Sequence, residues 1–316
     1  MRYAVTGGAG FIGSHIADRL LQDGHEVVVI DNLLTGSAAT VDWLRTRANG
    51  RLTFEQVSIT EPSLPDVVRG VDTIFHQAAL PSVPRSVADP LETHHHCVTG
   101  TLNVLDSARR AGVRRVVYAA SSSAYGDQPG DSKSEDMTPQ PISPYGVAKL
   151  AGEYYCQSFT RVYGLETVCL RYFNVFGPRQ DPNSQYAAVI PRFITALLNG
   201  QPPTIYGDGT QSRDFTFIDN VVHGNLLAST SRDAVGEVMN LATGGRVSLL
   251  ELADQLNAII GTSIAPVFEP AREGDIKHSR AAIDKARELL DFAPVVDFEA
   301  GLARTVDWYR AQAALQ

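Results

Sequence analysis

Cysteine is scarce in this sequence, and the few cysteines present do not form a pattern. Cys97, Cys156 and Cys169 are odd in number and widely separated, with no CxxC pair among them. This arrangement argues against a disulfide framework and favours reduced thiols. We therefore expect a cytoplasmic protein.

Basic charge and long apolar runs are also lacking. The 27 lysine and arginine residues are outnumbered by 35 aspartate and glutamate residues, which gives a net charge of −8 and argues against nucleic acid as a partner. No apolar run reaches membrane-spanning length, and the chain enters a predicted strand directly after Met1. We expect no signal peptide and no membrane partner.

One run of histidines raises the question of a metal site. Residues 94–96 are three consecutive histidines followed by Cys97, and imidazole and thiolate are zinc ligands. However, adjacent residues on a helix point about 100° apart, so the three rings do not converge on one ion. We predict no metal site.

The chain does contain a clear alternation of strands and helices. Its 316 residues, 44% of them apolar, are typical of a globular protein with one large or two small domains. Strands that alternate with helices indicate an α/β fold with a parallel, doubly wound sheet. We predict strands over 2–6, 26–30, 52–57, 73–76, 115–120 and 167–170, and helices over 11–21, 91–111, 143–163, 283–290 and 298–310.

A glycine-rich turn follows the first predicted strand. Gly7, Gly10 and Gly13 have GxxGxxG spacing, and Phe11 opens the next helix. This spacing allows a tight turn and a close backbone approach to a pyrophosphate, which the helix N-terminus then faces. Asp31 ends the second strand, where a carboxylate binds ribose hydroxyls and repels a 2′-phosphate. The sequence therefore predicts a dinucleotide site that favours NAD over NADP.

A second motif combines a phenol, an ammonium group and hydroxyls. Pro144 suits the first turn of a helix, and Tyr145 and Lys149 then share one helical face. A nearby cation favours the phenolate and lowers a pKa that is about 10 when unperturbed, so Tyr145 is a candidate general base. Ser121 follows the buried strand 116–120, at the edge where open α/β sheets bind ligands. For the bare spacing, the alternative is an ordinary helix with a surface lysine.

Together these motifs resemble the extended short-chain dehydrogenase/reductase family, and within it the UDP-glucose 4-epimerase group. The resemblance runs from Tyr3 to about Tyr309 and implies a Rossmann-type NAD-binding domain over 1–173. A smaller C-terminal α/β substrate-binding portion is expected over 174–316, with some segments returning to the first domain. The matching motifs are Thr6 to Ser14, His76 to Ala79, Ser121 to Gly126 (SSSAYG), Tyr145-x-x-x-Lys149 and Leu170 to Pro178 (LRYFNVFGP).

The resemblance implies which residues catalyse the reaction and bind NAD. Ser121, Tyr145 and Lys149 are the expected catalytic residues. Family members usually carry an Asp-Ile pair after the third strand to contact the adenine, and here the pair is Ser58-Ile59. The residues expected to bind NAD are Gly7, Gly10, Phe11, Ile12, Asp31, Asn32, Ser58, Ile59, Gln77, Ala78, Ala79, Tyr145 and Lys149.

The resemblance also implies how a UDP-hexose is held. Asn174 and Arg213 are expected on the diphosphate, Arg272 on the diphosphate or ribose, and Val189 beside the uracil. The alternative for each lone arginine is a surface charge, and for the loop with Ser82 a plain surface loop. The residues expected to bind substrate are Ser82, Ser121, Ser122, Ser123, Tyr145, Asn174, Val189, Arg213, Arg272 and Ser279.

Several positions depart from relatives in ways that bear on the reaction. Ser122 and Ser123 stand where related 4,6-dehydratases carry an Asp-Glu pair, and hydroxyls cannot replace that acid–base pair. Ser279 stands where enzymes restricted to unacetylated sugars carry a bulky tyrosine, so it leaves room for an N-acetyl group. Cys97 replaces an asparagine that braces the catalytic region, so that brace is expected to be weakened. Ala282 replaces an aspartate, with no predicted consequence.

The sequence thus predicts an NAD-dependent UDP-hexose 4-epimerase. It would interconvert UDP-glucose and UDP-galactose through a transient 4-keto sugar, with the N-acetylated pair permitted, and form a homodimer through helices 91–111 and 143–163. Alternatives within the family are UDP-glucuronate 4-epimerisation, UDP-glucuronate decarboxylation and net NAD-dependent dehydrogenation. A non-catalytic nucleotide-sensing protein on the same fold is the alternative from a different class.

Overall fold

Fourteen strands are present in the residues that the structure describes. The structure is a computed structural model, and it describes residues 1–182, 188–271 and 277–314. In chain order the strands are β1 (Arg2–Thr6), β2 (Glu26–Ile30), β3 (Leu52–Glu55), β4 (Thr73–His76), β5 (Arg115–Ser121), β6 (Glu166–Tyr172), β7 (Val175–Phe176), β8 (Thr204–Tyr206), β9 (Ser212–Arg213), β10 (Thr216–Phe217), β11 (Val238–Leu241), β12 (Val247–Ser248), β13 (Val267–Glu269) and β14 (His278–Ser279).

Twelve α-helices pack around these strands in the same described ranges. A π-turn over His95–Thr99 and a 3₁₀ turn over Ser122–Ala124 add to them. No helix within those ranges is long and apolar enough to cross a membrane. The helices are α1 (Phe11–Gln22), α2 (Ala38–Ala48), α3 (Leu64–Val67), α4 (Val83–Ala88), α5 (Pro90–His94), α6 (Gly100–Ala111), α7 (Pro144–Tyr163), α8 (Val189–Leu198), α9 (Ile218–Thr230), α10 (Leu249–Ile260), α11 (Asp284–Leu290) and α12 (Phe298–Ala313).

Seven strands form one parallel sheet in the order β11-β6-β5-β4-β1-β2-β3. Neighbouring residues of one strand belong to different cores: Val5 and Val117 pack into one, and Ala4 and Val116 into the other. Both faces of the sheet are therefore covered, as a parallel sheet requires. This confirms the predicted Rossmann-type α/β fold.

The chain order reverses at the centre of this sheet. From β1 the chain proceeds outward through β2 and β3, and it then returns to β4, on the other side of β1, and continues outward to β5 and β6. The crevice at the carboxyl ends of β1 and β4 is where sheets of this kind bind ligands. The glycine-rich turn and the serine motif both follow strands at this edge.

Short strands of the C-terminal half form smaller sheets beside the large one. β12, β9 and β14 make a three-stranded sheet, while β10 pairs with β7 and β13 with β8. β11 belongs to the large sheet, where it pairs with β6. The division at residues 173 and 174 stays a prediction.

Most predicted strands and helices have ends close to those in the structure, and two of the differences have a visible cause. β3 ends at Glu55 rather than at residue 57, because the chain turns there and Val57 N–H bonds back to Glu55 O at 3.0 Å. The helix expected over 91–111 is interrupted by the π-turn, which divides it into α5 and α6. Single π-turns within helices are frequent near functional sites.

Candidate active site

A cavity of about 830 Å³ opens along the carboxyl edge of the large sheet. It extends from the glycine-rich turn past the end of β5 to the segment after β6. Predicted cofactor and catalytic residues, and part of the predicted substrate set, thus line one space. Those that line it are Gly7, Gly10, Phe11, Ile12, Asp31, Asn32, Ile59, Gln77, Ala78, Ala79, Ser121, Ser122, Ser123, Tyr145, Lys149 and Asn174.

The glycine-rich turn is packed against the loop after β4. Gly7 has a φ of +67°, and a Cβ atom there would lie 2.8 Å from the backbone of Ala78. A Cβ atom at Gly13 would lie 2.2 Å from Gly7 O, so only glycine fits. α1 begins at Phe11 directly after this turn and presents its free N–H groups to the cavity. This cradle suits a pyrophosphate.

Asp31 is held at the end of β2 by backbone donors. Its Oδ2 accepts a hydrogen bond from Ala9 N at 3.0 Å, and its Oδ1 accepts one from Leu33 N at 2.8 Å. Burial raises the pKa of this carboxyl, while the two backbone N–H groups act in the opposite direction. The carboxylate is thus fixed in the cavity wall next to the glycine-rich turn, where the sequence places a ribose.

Ser121, Tyr145 and Lys149 meet at the middle of the cavity. Ser121 is the last residue of β5, and its hydroxyl shares a hydrogen bond with the Tyr145 phenol. α7 approaches closely because Gly146 has no side chain: a Cβ atom there would lie 2.7 Å from Ser123 O. Ser143 caps this helix by accepting a hydrogen bond from Gly146 N at 3.1 Å. The predicted catalytic residues are therefore brought together.

The pKa of Tyr145 is raised in this structure, contrary to the expectation that Lys149 lowers it. Burial raises the pKa, the Cys97 thiol acts in the same direction, and the hydrogen bond with Ser121 lowers it. Lys149 donates from Nζ to Ala119 O at 2.7 Å. The expected lowering is wrong for this arrangement, because removal of the phenol from water dominates.

Lys149 is itself buried among groups that fix its position. Its Nζ lies 4.9 Å from the centre of the Tyr118 ring, and burial lowers the pKa of the ammonium group. One turn further along α7, Glu153 accepts hydrogen bonds from Arg171 Nε at 2.9 Å and Nη2 at 2.7 Å. The Glu153 charge acts to raise the pKa of the Lys149 ammonium group, against the effect of burial.

Cys97 retains part of the bracing role expected of an asparagine. Leu80 N donates a hydrogen bond to Cys97 Sγ at 3.5 Å, which fixes the loop after β4 against the π-turn. Sulfur is a weak acceptor, so this contact is weaker than one to an amide oxygen. Thr101 Oγ1 also donates to Cys97 O at 2.7 Å, and His76 Nε2 lies 3.0 Å from that hydroxyl.

Five predicted site residues lie outside the cavity wall. Ser58 Oγ lies 2.8 Å from Thr60 Oγ1, and Ser82 caps α4 by accepting from Arg85 N at 3.1 Å. Val189 is the first residue of α8. Arg213 and Ser279 complete the set and belong to the three-stranded sheet. Arg272 lies outside the described residues.

Strand pairing joins the substrate-side residues into one unit. Ser279 and Arg213 are direct register partners in β14 and β9. The next residue, Asp214, accepts at its carbonyl oxygen a hydrogen bond from Asn174 Nδ2 at 3.2 Å. Asn174 has a φ of +31°, a conformation that is rare outside glycine and that clusters at functional sites.

Tyr172 is a cavity residue that the sequence did not single out. Its hydroxyl lies 3.2 Å from Gln77 Oε1 and 3.0 Å from Asn225 Oδ1. This fixes the predicted cofactor residue Gln77 against a helix of the C-terminal half. Tyr172 lies two residues before Asn174 in the LRYFNVFGP motif, and this position is the feature of the sequence that indicates a place near the site.

No group of three or more histidine, cysteine or acidic residues is placed to hold a metal ion within residues 1–182, 188–271 and 277–314. His95 and His96 stand with ring centres 5.3 Å apart and planes tilted by 70°. Their rings thus contact each other edge to face.

The chain matches the family described as the NAD dependent epimerase/dehydratase family over residues 3–242. It is 39% identical over 313 residues to a UDP-glucose 4-epimerase from Mycolicibacterium smegmatis, which covers 98% of this chain and 99% of that relative.

Two solved structures extend this similarity. One is a UDP-N-acetylglucosamine 4-epimerase from Methanobrevibacter ruminantium in complex with UDP-N-acetylmuramic acid, with 40% identity, a TM-score of 0.93 and 98% of each chain covered. The other is a UDP-glucuronic acid 4-epimerase from Bacillus cereus in complex with UDP-glucuronic acid and NAD. Its identity is 34% and its TM-score is 0.91, with 99% of this chain and 100% of that chain covered.

Proposed function

The chain belongs to the NAD-dependent epimerase/dehydratase family, and on that premise we propose that it is a UDP-hexose 4-epimerase. One observation carries the proposal: Ser121, Tyr145 and Lys149 meet in the same cavity that the glycine-rich turn and Asp31 line. A base and a dinucleotide cradle in one space suit reversible oxidation of a sugar alcohol.

Tyr145 is the proposed proton acceptor. As phenolate, it would take the proton from the sugar O4 while hydride leaves C4, and it would return the proton to O4 after the 4-keto sugar has turned over in the pocket and hydride has returned to the other face of C4. Burial raises the pKa of the phenol, so the base needs positive charge nearby to act as phenolate. The Lys149 ammonium supplies one such charge.

Ser121 is the proposed orienting hydroxyl. Its Oγ receives a hydrogen bond from Ser123 Oγ at 2.8 Å and shares one with the Tyr145 phenol. This places a donor beside the phenol, where the sugar O4 develops negative charge. Ser123 thus helps to fix the position of the Ser121 hydroxyl.

NAD is the cofactor of this chain, and the residues present fit it. The tight cradle at Gly7 and Gly13, the N-terminus of α1 and the fixed Asp31 carboxylate are suited to pyrophosphate and ribose. When bound, NAD⁺ accepts a hydride from the substrate and returns it. Since the cofactor is regenerated in each cycle, we propose that it is retained on the protein.

The substrate diphosphate would be anchored by Asn174 and Arg213, with Arg272 as a further contact from outside the described residues. The strand register that joins Arg213 to Ser279 supports this arrangement. Because Ser279 is small, we propose that N-acetylated UDP-hexoses are accepted together with UDP-glucose and UDP-galactose.

A UDP-glucuronate 4-epimerase is the second candidate. The similarity to the Bacillus cereus enzyme favours it, together with the hydroxyls of Ser122 and Ser123, which line the cavity and could accept a carboxylate by donating hydrogen bonds. Because the Ser123 hydroxyl already donates its proton to Ser121 Oγ, Ser122 is the donor proposed for the carboxylate. Ser121, Tyr145 and Lys149 would serve this reaction in the same roles.

The experiment is turnover of the purified protein with UDP-galactose, UDP-GalNAc and UDP-glucuronate in separate reactions without added NAD. The 4-epimers are separated by chromatography. Conversion of the two hexoses supports the proposal, and conversion of UDP-glucuronate alone moves the function to the second candidate. Failure with all three, also after addition of NAD, refutes both.

We also propose that the protein is a homodimer in the cytoplasm. The exposed apolar residues Val147, Tyr154 and Val162 on α7 support an interface built on this helix. Cys97, Cys156 and Cys169 are buried and free, in agreement with a reducing compartment. Light scattering of the purified protein tests the oligomeric state.

A further inference from the structure

Arg179 is a partly buried arginine that the proposed mechanism does not use. It lines the large cavity, but its Nε and Nη2 are buried and have no hydrogen-bond partner among the described residues. Burial lowers the pKa of its guanidinium to about 10, and the neighbouring Arg47 acts in the same direction. Buried guanidinium nitrogens without hydrogen-bond partners are costly, so these two nitrogens indicate a missing anionic partner.

Neighbouring carboxylates do not satisfy this arginine. Asp18 is engaged by Arg47, whose Nε donates to Oδ1 at 2.5 Å, and by Gln22, whose Nε2 donates to Oδ2 at 2.9 Å. Asp219 accepts a hydrogen bond from Arg304 Nη1 at 3.3 Å. Asp18 and Asp219, the two acids whose charge acts on Arg179, are therefore bound to other side chains.

The backbone and the surrounding rings hold Arg179 in place. Its φ is +66°, a conformation unfavourable for a residue with a Cβ atom, and it is not a helix cap. The carbonyl oxygen of the preceding Pro178 accepts a hydrogen bond from Nε2 of the partly buried His15 at 2.9 Å. The guanidinium carbon lies 4.0 Å from the centre of the Trp43 ring, which covers one face. The unpartnered nitrogens are thus pre-positioned.

The position of Arg179 in the fold indicates which anion it binds. Arg179 packs against α1 through His15 and against α2 through Trp43, and these helices follow the strands that end in the glycine-rich turn and in Asp31. The expected UDP contacts Arg213 and Ser279 lie in the separate three-stranded sheet. A pyrophosphate at the N-terminus of α1 is therefore the nearer candidate.

Charge balance agrees with this choice. A helix N-terminus is equivalent to about half a positive charge, whereas a dinucleotide pyrophosphate carries about two negative charges. Apart from Arg179, the described cavity wall contains one further lysine or arginine, Lys149, and its ammonium group donates to Ala119 O beside Tyr145. Arg179 is left to neutralise the phosphates.

We propose that Arg179 anchors the cofactor by binding the pyrophosphate of NAD, together with the N–H groups at the start of α1. A guanidinium fork is suited to two phosphate oxygens. The inference rests on NAD as the cofactor in the proposed function, and it is independent of which UDP-sugar is the substrate.

The test compares Arg179→Gln with the wild-type protein and with Arg47→Gln, a matched loss of charge at an arginine that also stacks on Trp43. Two quantities are measured: the rate at which bound NAD is lost during dialysis, and the Kd of UDP by calorimetry. Hydrogen bonds to charged groups contribute enough to predict that NAD loss becomes about 10- to 100-fold faster in Arg179→Gln. The Kd of UDP should stay within about twofold, and Arg47→Gln should behave as the wild type.

An unchanged rate of NAD loss would overturn the proposal. A tenfold weaker UDP affinity with normal NAD retention would also overturn it, because the arginine would then serve the substrate diphosphate. If Arg179→Gln does not fold, Arg179→Lys replaces it. The lysine keeps the charge without the fork and should lose NAD several-fold faster, and a wild-type rate in that variant refutes the proposal. Neither the rate of NAD loss nor the Kd of UDP depends on epimerase activity. Failure of this proposal can therefore be distinguished from failure of the proposed reaction.

Discussion

Arg171 and Glu153 form a buried, bidentate ion pair one helical turn beyond Lys149. Nε and Nη2 of the arginine donate to the two carboxylate oxygens at 2.9 Å and 2.7 Å, and the guanidinium carbon lies 4.5 Å from the centre of the Tyr125 ring. Arg171 comes from β6 and Glu153 from α7, so the pair joins the sheet to the helix that carries Tyr145 and Lys149.

We expect Glu153→Gln to lower the free energy of unfolding by about 3–5 kcal/mol, because it leaves a buried guanidinium without its counter-charge. Urea titration of the two proteins measures this difference. Asp106→Asn is the control, since Asp106 pairs with Arg109 and Arg110 on the exposed side of α6 and should contribute less than about 1 kcal/mol. A similar decrease in the free energy of unfolding in both variants would show that the buried ion pair stabilises the protein no more than an exposed one.

Tyr145→Phe should reduce turnover by about 10²- to 10⁴-fold, the usual contribution of a general acid–base group. Bound NAD and UDP affinity should be unchanged, because the ring remains and only the hydroxyl is lost. Initial rates and the NAD content of the two proteins check this. Turnover within threefold of wild type would assign the proton transfer to another residue.

Wild-type turnover should increase with pH above neutrality, because burial raises the pKa of Tyr145 and the base acts as phenolate. In Lys149→Met the increase should shift to higher pH, since the supporting cation is removed. The pH profiles of kcat for the two proteins test this, and superimposable profiles would contradict the electrostatic role of Lys149.

Ser279→Tyr should reduce activity on N-acetylated UDP-hexoses and leave activity on unacetylated ones. A tyrosine would occupy the space proposed for the N-acetyl group, so kcat/KM for UDP-GalNAc should fall at least about tenfold while that for UDP-galactose is retained. Ser279→Ala, which leaves the space open, should keep both activities. Parallel losses on both substrates in the tyrosine variant would show that residue 279 does not set this selectivity.

Asp31→Asn should weaken NAD binding and improve NADP binding, because the amide keeps an acceptor for one backbone N–H but no longer repels a 2′-phosphate. Fluorescence titration with both cofactors gives the ratio of their Kd values, which should shift by at least about tenfold. Asp42→Asn is the control, because Asp42 is an exposed acid on α2 that pairs with Arg45 and should leave the ratio unchanged. A ratio equal to that of the wild type would exclude Asp31 as the residue that discriminates between them.

Acid should destabilise the protein through His15 and His76. Burial lowers the pKa of each to about 3, so below pH 6.5 the unfolded chain binds protons that the folded chain excludes. Stability present above pH 6.5 is therefore lost as the pH falls towards 3. At pH 5.5 each histidine should account for about 1.4 kcal/mol of the loss relative to pH 7.5. Unfolding titrations at the two pH values should show a smaller difference in His15→Gln, and an unaltered difference would refute the assignment to His15.

The cofactor half of the site was predictable because its geometry is local in the sequence. Gly7 to Gly13 form a turn between one strand and one helix, and Tyr145 and Lys149 share one helix, so spacing alone places them. The predicted strands at these positions agree with β1, β2, β4 and β5. Short-range periodicity is the strongest signal that a sequence carries.

The raised pKa of Tyr145, the π-turn and the unpartnered nitrogens of Arg179 depend on contacts between distant segments, so no periodicity in the sequence indicates them. The raised pKa of Tyr145 reflects burial beneath several elements, and the π-turn around Cys97 inserts a residue that a regular helical period does not reveal. The unpartnered nitrogens of Arg179 became visible only when α1, α2 and the segment after β7 were in place. Residue types alone cannot show which arginine lacks a counter-charge.

The π-turn over His95–Thr99 has a consequence for how the helix around it is used. One additional residue in a helical turn rotates everything before it by about 100° relative to everything after it. Leu91 on the early side is 81% exposed, while Leu105 on the late side is fully buried. Because of this rotation, α5 directs the apolar side chain of Leu91 outward, while α6 directs that of Leu105 into the core.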